Sequence, residues 1–506
     1  MRSRQPALLI AIALCGAGAA TAQTPDAAPL RSAVQKAINA NPDVTSRFNA
    51  YRASADAVDA ARAGYLPRLD LNASGGRDRD RIDSRTPETQ STNRAGASLT
   101  LSQLLWDGLA TRNDVGRLGH ERTARYFEFL DAAEQTALEA ARAYIDVLRY
   151  RRLVQLAEEN FVQHQSAFNQ IQARFKAGVG RGVDLEQAGA RVALAESNLN
   201  TEISNLYDVS TRYQRIVGEV PPDTLPMPGE FKAGVPATVN EAADEAIRRS
   251  PAISASIEAL RAARALASIR ESAYQPKVEA RLRAGAGKNF EGVRDQRNDT
   301  TAEVVLNWNL FNGGADQARV RQQVNLVNQA ADLRDRACRD VRQTVAIAFN
   351  DTRKLVDQLQ FLDRNTLAIS KARDAYRQQF DIGQRSLLDL LNSENELYTA
   401  QRSYANAEFD LSLAYVRTHA ALNKLTPLLG VTREVEAPED AQAWQAGDDL
   451  PGRCPAEAVP TMTMDTVRLR ERAAAMTAPP PAAASPASAP AASAGPASSP
   501  ARRTRN

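Results

Sequence analysis

Two spacings of apolar residues take turns along this chain. Arg68-Leu69-Asp70-Leu71-Asn72-Ala73-Ser74 alternates polar and apolar positions, and Lys277-Val278-Glu279-Ala280-Arg281-Leu282-Arg283-Ala284 does so with charge at every odd position. A second alternating run follows each of these. Ala95, Ala97, Leu99 and Leu101 stand against Gly96, Ser98, Thr100 and Ser102, and later come Ala302, Val304, Leu306, Trp308 and Leu310. A period of two predicts strands with one apolar and one wet face. Strands are expected over about 65–78, 94–106, 274–287 and 300–311, the members of each pair separated by the polar loops Arg77 to Asn93 and Gly287 to Thr300.

Between these runs the period lengthens. Leu355, Leu359, Leu362, Thr366, Ile369, Arg373, Tyr376 and Phe380 alternate steps of four and three, and Phe161, His164, Phe168, Ile171 and Phe175 repeat the pattern earlier in the chain. This is the 3.5-residue seam of a coiled coil. No proline falls between Pro87 and Pro221 or between Pro276 and Pro427, and both stretches are rich in good helix formers. Long helices are therefore expected over about 110–217 and 315–425. A helix from Asp114 to Phe175 alone would be about 90 Å long. Gly178, Gly180 and Gly182 in the first stretch, and Gly383 in the second, predict turns at 178–183 and 383–388 where each coiled coil folds back.

The chain says nearly the same thing twice, about 205–209 residues apart. Asn41-Pro42 recurs as Ser250-Pro251, Tyr65-Leu66-Pro67 as Tyr274-Gln275-Pro276, and Leu105-Trp106-Asp107-Gly108 as Leu310-Phe311-Asn312-Gly313. Phe175-x-x-Gly178-x5-Asp184 recurs as Phe380-x-x-Gly383-x5-Asp389. The fold must be buildable from two copies of one unit. The units are placed at 23–217 and 239–430, with a linker at 218–238 and an extension at 431–506.

Arg2 and Arg4, an apolar run from Ala7 to about Ala19 and the Ala20-Thr21-Ala22 cleavage pattern predict an export signal over residues 1–22. Cys15 lies inside it, and Leu14 before that cysteine does not fit a lipid-attachment site. Cleavage leaves Cys338 and Cys454, free or bridged; two such distant cysteines make no disulfide framework, although export permits a bond. Net charge is +3 over 506 residues, which gives no reason to expect nucleic acid. His120, His164 and His419 are isolated, and no hydrolase, zinc-protease or phosphate-loop motif is present, so neither enzyme activity nor a cofactor or metal is expected. Residues 478–501 are almost entirely Ala, Pro and Ser; disorder is expected there and from near Glu436 onward.

No later segment has the roughly 20 apolar residues of a membrane helix, but strands do not need them. A face carrying Arg68, Asp70, Lys277, Glu279, Arg281 and Arg283 must meet water. The opposite face, with Leu69, Leu71, Leu99, Leu101, Val278, Leu282, Val304, Leu306 and Trp308, fits either lipid or a soluble sheet half buried against helices. Trp106 and Trp308 suit a membrane-interface belt. In lipid a sheet can leave no open edge, and four strands cannot close a barrel. Several copies would then have to join.

At this point the chain resembles the TolC family of outer-membrane efflux ducts. The likeness covers roughly residues 28–430 and rests on the Asn-Pro and Ser-Pro helix starts, the Tyr-x-Pro strand starts, the Leu-Phe-Asn-Gly-Gly run ending at Gly314 and the repeated F-x-x-G-x5-D. The resemblance implies a mainly α fold with a β-barrel membrane part. Three copies would form a twelve-stranded outer-membrane barrel continued by a periplasmic α-helical barrel. It also implies a periplasmic adaptor and an inner-membrane transporter of ABC or RND type as partners, in efflux or type I secretion. The glycine turns would form a gate at the periplasmic tip, with Asp184 a gate acid, Arg385 the arginine that pairs with it and Asp389 an acidic ring favouring cations. Phe380 stands where a tyrosine could hydrogen-bond, and Asn392 where a second acidic ring would be, so one carboxylate ring is expected. The rival readings are a periplasmic adaptor and a coiled-coil scaffold without a pore.

Overall fold

The computed structural model describes residues 28–477, apart from 230, 290–294, 434, 436, 455–456, 458 and 461–463. The expected export signal and the tail from residue 478 lie outside the described residues. The described residues up to Glu457 form one compact unit; a second holds α11 (Thr466–Thr477).

Each half opens with a helix restarted at proline. Between α1 (Ala28–Ala40) and α2 (Pro42–Arg62), the Asn41 side chain accepts the Asp43 backbone N–H at 2.9 Å. Between α5 (Val239–Arg249) and α6 (Pro251–Glu271), Ser250 Oγ accepts the Ile253 N–H at 3.3 Å. Proline fits the first helical position, where its missing donor costs nothing.

A single 3-10 turn ends each of these helices, and Tyr65 and Tyr274 sit in that turn rather than in a strand. Pairing starts one residue after the proline, because the proline has no N–H for a ladder. The strands are β1 (Arg68–Arg81), β2 (Thr89–Trp106), β3 (Lys277–Lys288) and β4 (Gln296–Asn307). Two further expectations are corrected here. The first polar loop is largely strand, since pairing continues from Arg77↔Asn93 to Arg81↔Thr89. β4 stops at Asn307, the partner of Lys277, so Trp308 lies beyond the strand; its indole N–H donates to the Tyr274 carbonyl at 3.2 Å. The four strands form one antiparallel sheet in chain order, with β2 paired to β3 across the two halves. Among the described residues β1 and β4 have no outer neighbour.

Asp107 and the left-handed Gly108 and Leu109 turn the chain into α3 (Ala110–Lys176); Asn312, Gly313 and Gly314 do the same for α7 (Ala315–Asp381). The Asp107 carboxylate accepts both the N–H and the hydroxyl of Thr111, at 2.8 and 2.6 Å. At 67 residues each, α3 and α7 are about 100 Å long. α4 (Gly182–Val217) folds back on α3, and α8 (Leu387–Ala421) on α7. α2 and α6 also pack along α3. All eight seam positions from Leu355 to Phe380 are buried or half-buried. In the first half Phe161 to Ile171 follow suit, but Phe175 is exposed: Gly182 opposite its ring has no side chain to cover it.

After α9 (Leu425–Leu429) the chain does not become disordered near Glu436 as expected. Residues 437–454, including the short α10 (Glu439–Gln442), form a strap against α3, α6 and α7. Trp444 meets Phe127 edge-on at 5.1 Å and donates to the buried Glu258 carboxylate at 2.7 Å. Asp449 accepts from Arg261 at 2.8 Å, and Asp335 accepts from Arg453 at 2.8 Å. A disulfide joins Cys338 of α7 to Cys454. A few anchors hold this segment, and its polar composition hides them.

Candidate functional site

Two places carry the predicted site residues: the hairpin turns and the sheet. At the turns the duplication repeats bond by bond. Gly178 N–H donates to the Phe175 carbonyl, and Val179 and Gly180 to that of Arg174; Gly383 donates to Phe380, and Gln384 and Arg385 to Gln379. Gly178 and Gly383 both have φ of 77°, the left-handed region glycine enters without strain. Gly180 is needed for another reason, since a Cβ there would lie 2.7 Å from the Phe175 nitrogen. Gly182 only opens α4 and has ordinary space around it.

Phe380 is buried in a small core with Ile171, Ala188, Leu387, Leu390 and Leu391, and the Arg174 guanidinium lies 5.0 Å from its ring centre. It packs α7 against α3, α4 and α8 at the tip. Arg385 does not pair with Asp184 within the chain. Its Nε donates to the Gln379 side chain at 3.0 Å, its guanidinium sits 4.7 Å from the Tyr376 ring centre, and its Nη1 is 3.7 Å from Asp389. Asp184 stands half-buried in the first turn of α4, without an ion-pair partner among the described residues. Ser386 caps α8: its Oγ accepts the Asp389 N–H at 3.2 Å, and the same hydroxyl donates to the Asp389 carboxylate at 2.9 Å. Asn392 accepts from Arg191 at 2.9 Å, tying α8 to α4.

Sequence reasoning gave no role at the tip to Gln379, Ser386 or Arg191, and placed Tyr376 only on the seam. It also missed the buried Glu394, which Arg373 of α7 approaches at 3.3 Å. Ser386 three residues before Asp389 is a capping pattern that could have been read. His164 is buried on the seam; burial, then the Arg191 guanidinium, lowers its pKa. His419 bonds the Phe231 carbonyl and His120 bonds Glu258, so all three histidines belong to packing contacts.

The register sorts the sheet into two faces. Leu69, Leu101 and Leu282 share one rung with Ala302; Leu71 and Leu99 share the next with Ala284 and Thr300; Val278 pairs with Leu306, and Ala280 with Val304. These side chains form one continuous apolar face, and Leu71 and Val304 are 70% and 68% exposed in the single chain. The other face carries Arg68, Asp70, Lys277, Glu279, Arg281 and Arg283. Five of these six charges are paired two residues apart along a strand: Arg68 to Asp70 at 2.8 Å, and Glu279 to Lys277 at 2.6 Å and to Arg281 at 2.8 Å. Among the described residues no helix is long and apolar enough to cross a membrane.

The family model for outer membrane efflux proteins matches residues 33–219 and 242–424, one stretch in each half. The chain belongs to that family. Outer membrane efflux protein BepC of Brucella suis is 26% identical over 420 residues, covering 82% of this chain and 89% of BepC. Outer membrane protein TolC of Salmonella enteritidis is 25% identical, covering 78% of this chain and 82% of TolC. The crystal structure of a membrane protein from Pseudomonas aeruginosa superposes with a TM-score of 0.70 at 18% identity, covering 78% of this chain and 93% of that one. This efflux protein is thus an exit channel of the outer membrane that extends into the periplasm, and the adaptor and scaffold readings fall away.

Proposed function

We propose that three copies of this efflux protein join edge to edge, β4 of one beside β1 of the next, into a passive duct gated at its periplasmic tip. The observation that carries this is the four-stranded sheet with two open edges and one predominantly apolar face. An open edge in lipid leaves backbone donors and acceptors unpaired at several kcal/mol each, so association removes the cost. Three copies of four strands give twelve, within the range of outer-membrane barrels. The apolar face then meets lipid, and the charged face lines the lumen.

The α3–α4 and α7–α8 hairpins continue the wall into the periplasm, where an adaptor and an inner-membrane transporter supply docking and energy. Val179, Val183 and Ile382 are exposed at the turns and offer apolar contact there. Closure rests on the tip contacts of Arg385, and the three Asp389 carboxylates ring the entrance. Opening swings the turns outward and breaks the contacts that Arg385 makes across the tip. Replacing Arg385 with Ser is expected to raise the conductance of the purified protein in planar bilayers several-fold and to sensitise cells to large antibiotics. Conductance and exclusion equal to wild type would refute the gate.

A further inference from the structure

We infer that the outer rim of the barrel wall binds the phosphate groups of glycolipid headgroups in the outer leaflet, through Arg77 and Arg79 with Lys288 beside them. This rests on the barrel reading above, but on residues that reading leaves without a role.

β1 ends in Arg77-Asp78-Arg79-Asp80-Arg81, and a strand's period of two sorts those charges. Arg77, Arg79 and Arg81 fall on the same face as Leu69 and Leu71, while Asp78 and Asp80 fall on the face of Arg68 and Asp70. On β3, Lys288 likewise follows Val278 and Leu282 onto the apolar face. The cations are turned outward and the acids inward, just where the apolar band ends.

Height supports the assignment. From Trp106 to Ala95, which pairs with both Gly75 and Lys288, β2 takes eleven residue steps. That is about 37 Å along the strand, or about 28 Å along the membrane normal at a tilt of about 40°. An outer-membrane apolar band is about 25 Å tall. The rung Gly75–Ala95–Lys288 therefore stands at the hydrocarbon edge, with Arg77 and Arg79 on the next two outward rungs, at headgroup depth.

The local chemistry suits an anion. Arg77, Arg79 and Lys288 are exposed, and among the described residues Arg77 and Arg79 have no ion-pair or hydrogen-bond partner. Arg81 is already held by Asp83 at 3.2 Å and Glu88 at 3.6 Å, so it closes the loop instead. Between Arg77 and Lys288 the wall is floored by Gly75, Ala95 and Asn93, which leave room for a headgroup group to settle. A guanidinium fork matches phosphate oxygens in pairs, and removal from bulk water strengthens the bonds.

The test uses the full chain in lipid nanodiscs containing bisphosphorylated lipid A, its dephosphorylated form, or phosphatidylcholine alone, with retained lipid counted by native mass spectrometry. Wild type is expected to retain the bisphosphorylated glycolipid several-fold over the dephosphorylated one. The Arg77→Gln/Arg79→Gln variant should lose that preference, and Arg77→Lys/Arg79→Lys should restore part of it. Equal retention by wild type and the Gln variant, or no preference for phosphate in wild type, overturns the inference. A fluorophore at Leu71→Cys checks the face itself: quenching by brominated lipid without any phosphate preference sinks only the headgroup site, whereas no quenching sinks the barrel reading as well.

Discussion

Breaking the Cys338–Cys454 bridge is expected to release the C-terminal strap and weaken the half of the chain that it crosses. The two cysteines are 116 residues apart in sequence. For a loop of that size, the chain-entropy relation gives about 5 kcal/mol at 25 °C, and native bridges usually contribute about 2–4 kcal/mol. What remains after cleavage is modest. The Arg261 and Arg264 pairs to Asp449 are partly exposed, and such pairs contribute about 1 kcal/mol or less each. Trp444, seated on Phe127 and bonded to Glu258, is the main surviving anchor. Wild type with and without reductant should be compared with Cys338→Ser/Cys454→Ser by thermal unfolding and by protease cleavage after residue 431. The reduced protein and the variant should coincide, unfold earlier, and be cut at least about tenfold faster, since 1.4 kcal/mol is a factor of ten. Two free thiols in the unreduced protein, or identical cleavage with and without reductant, would show that the bridge does not hold the strap.

Gly178→Ala and Gly383→Ala should each destabilise the tip by about 1–2 kcal/mol through left-handed backbone strain alone. The added methyl meets no atom within 4 Å in either case; a Gly182→Ala control should leave the melting profile unchanged. Phe380→Ala empties the tip core, at about 3–5 kcal/mol, and should be read as faster proteolysis at the turn together with a leakier channel. Burial would raise the pKa of Glu258, but hydrogen bonds from His120, Trp444 and Arg261 outweigh it and hold the carboxyl below its ordinary value. Asp335 and Asp449 are likewise lowered by their arginines against the effect of burial. A depressed folded-state pKa gives stability that is present above the unfolded value of about 4 and is lost as pH falls through the lower folded value. Strap release, followed by protease cleavage, should therefore be flat from neutral pH to about 5 and increase only on stronger acidification; Glu258→Gln should show faster release at neutral pH.

The sequence carried the repeating architecture well, for a physical reason. Strand and seam residues obey periods imposed by backbone geometry, so Leu69, Leu101 and Leu282 could be placed on one face without knowing that they share a rung. The glycine turns were equally readable because Gly178 and Gly383 occupy a backbone region that few other residues tolerate. What escaped was decided by contacts between distant segments. Nothing local in Trp444 or Asp449 announces Glu258 or Arg261 nearly two hundred residues earlier, and a polar, proline-bearing stretch looks unstructured until its partners are placed. The strand ends failed more simply: a ladder continues through Arg77 to Arg81 because pairing uses backbone groups, whatever the side chains prefer. Within the single chain Arg385 is seated against Gln379, Tyr376 and Asp389, contacts that correspondence with a family pattern does not supply.

Whether this chain forms a duct is decided by how the two open sheet edges are closed. Single-particle imaging of the full chain purified in nanodiscs measures this directly. Three copies around one axis are expected, β4 of each hydrogen-bonded to β1 of the next, with the Leu71 face against lipid and the Asp389 carboxylates around the periplasmic mouth. A single copy whose sheet lies folded against its own helices, or an assembly whose strands form no closed cylinder, would rule out the duct.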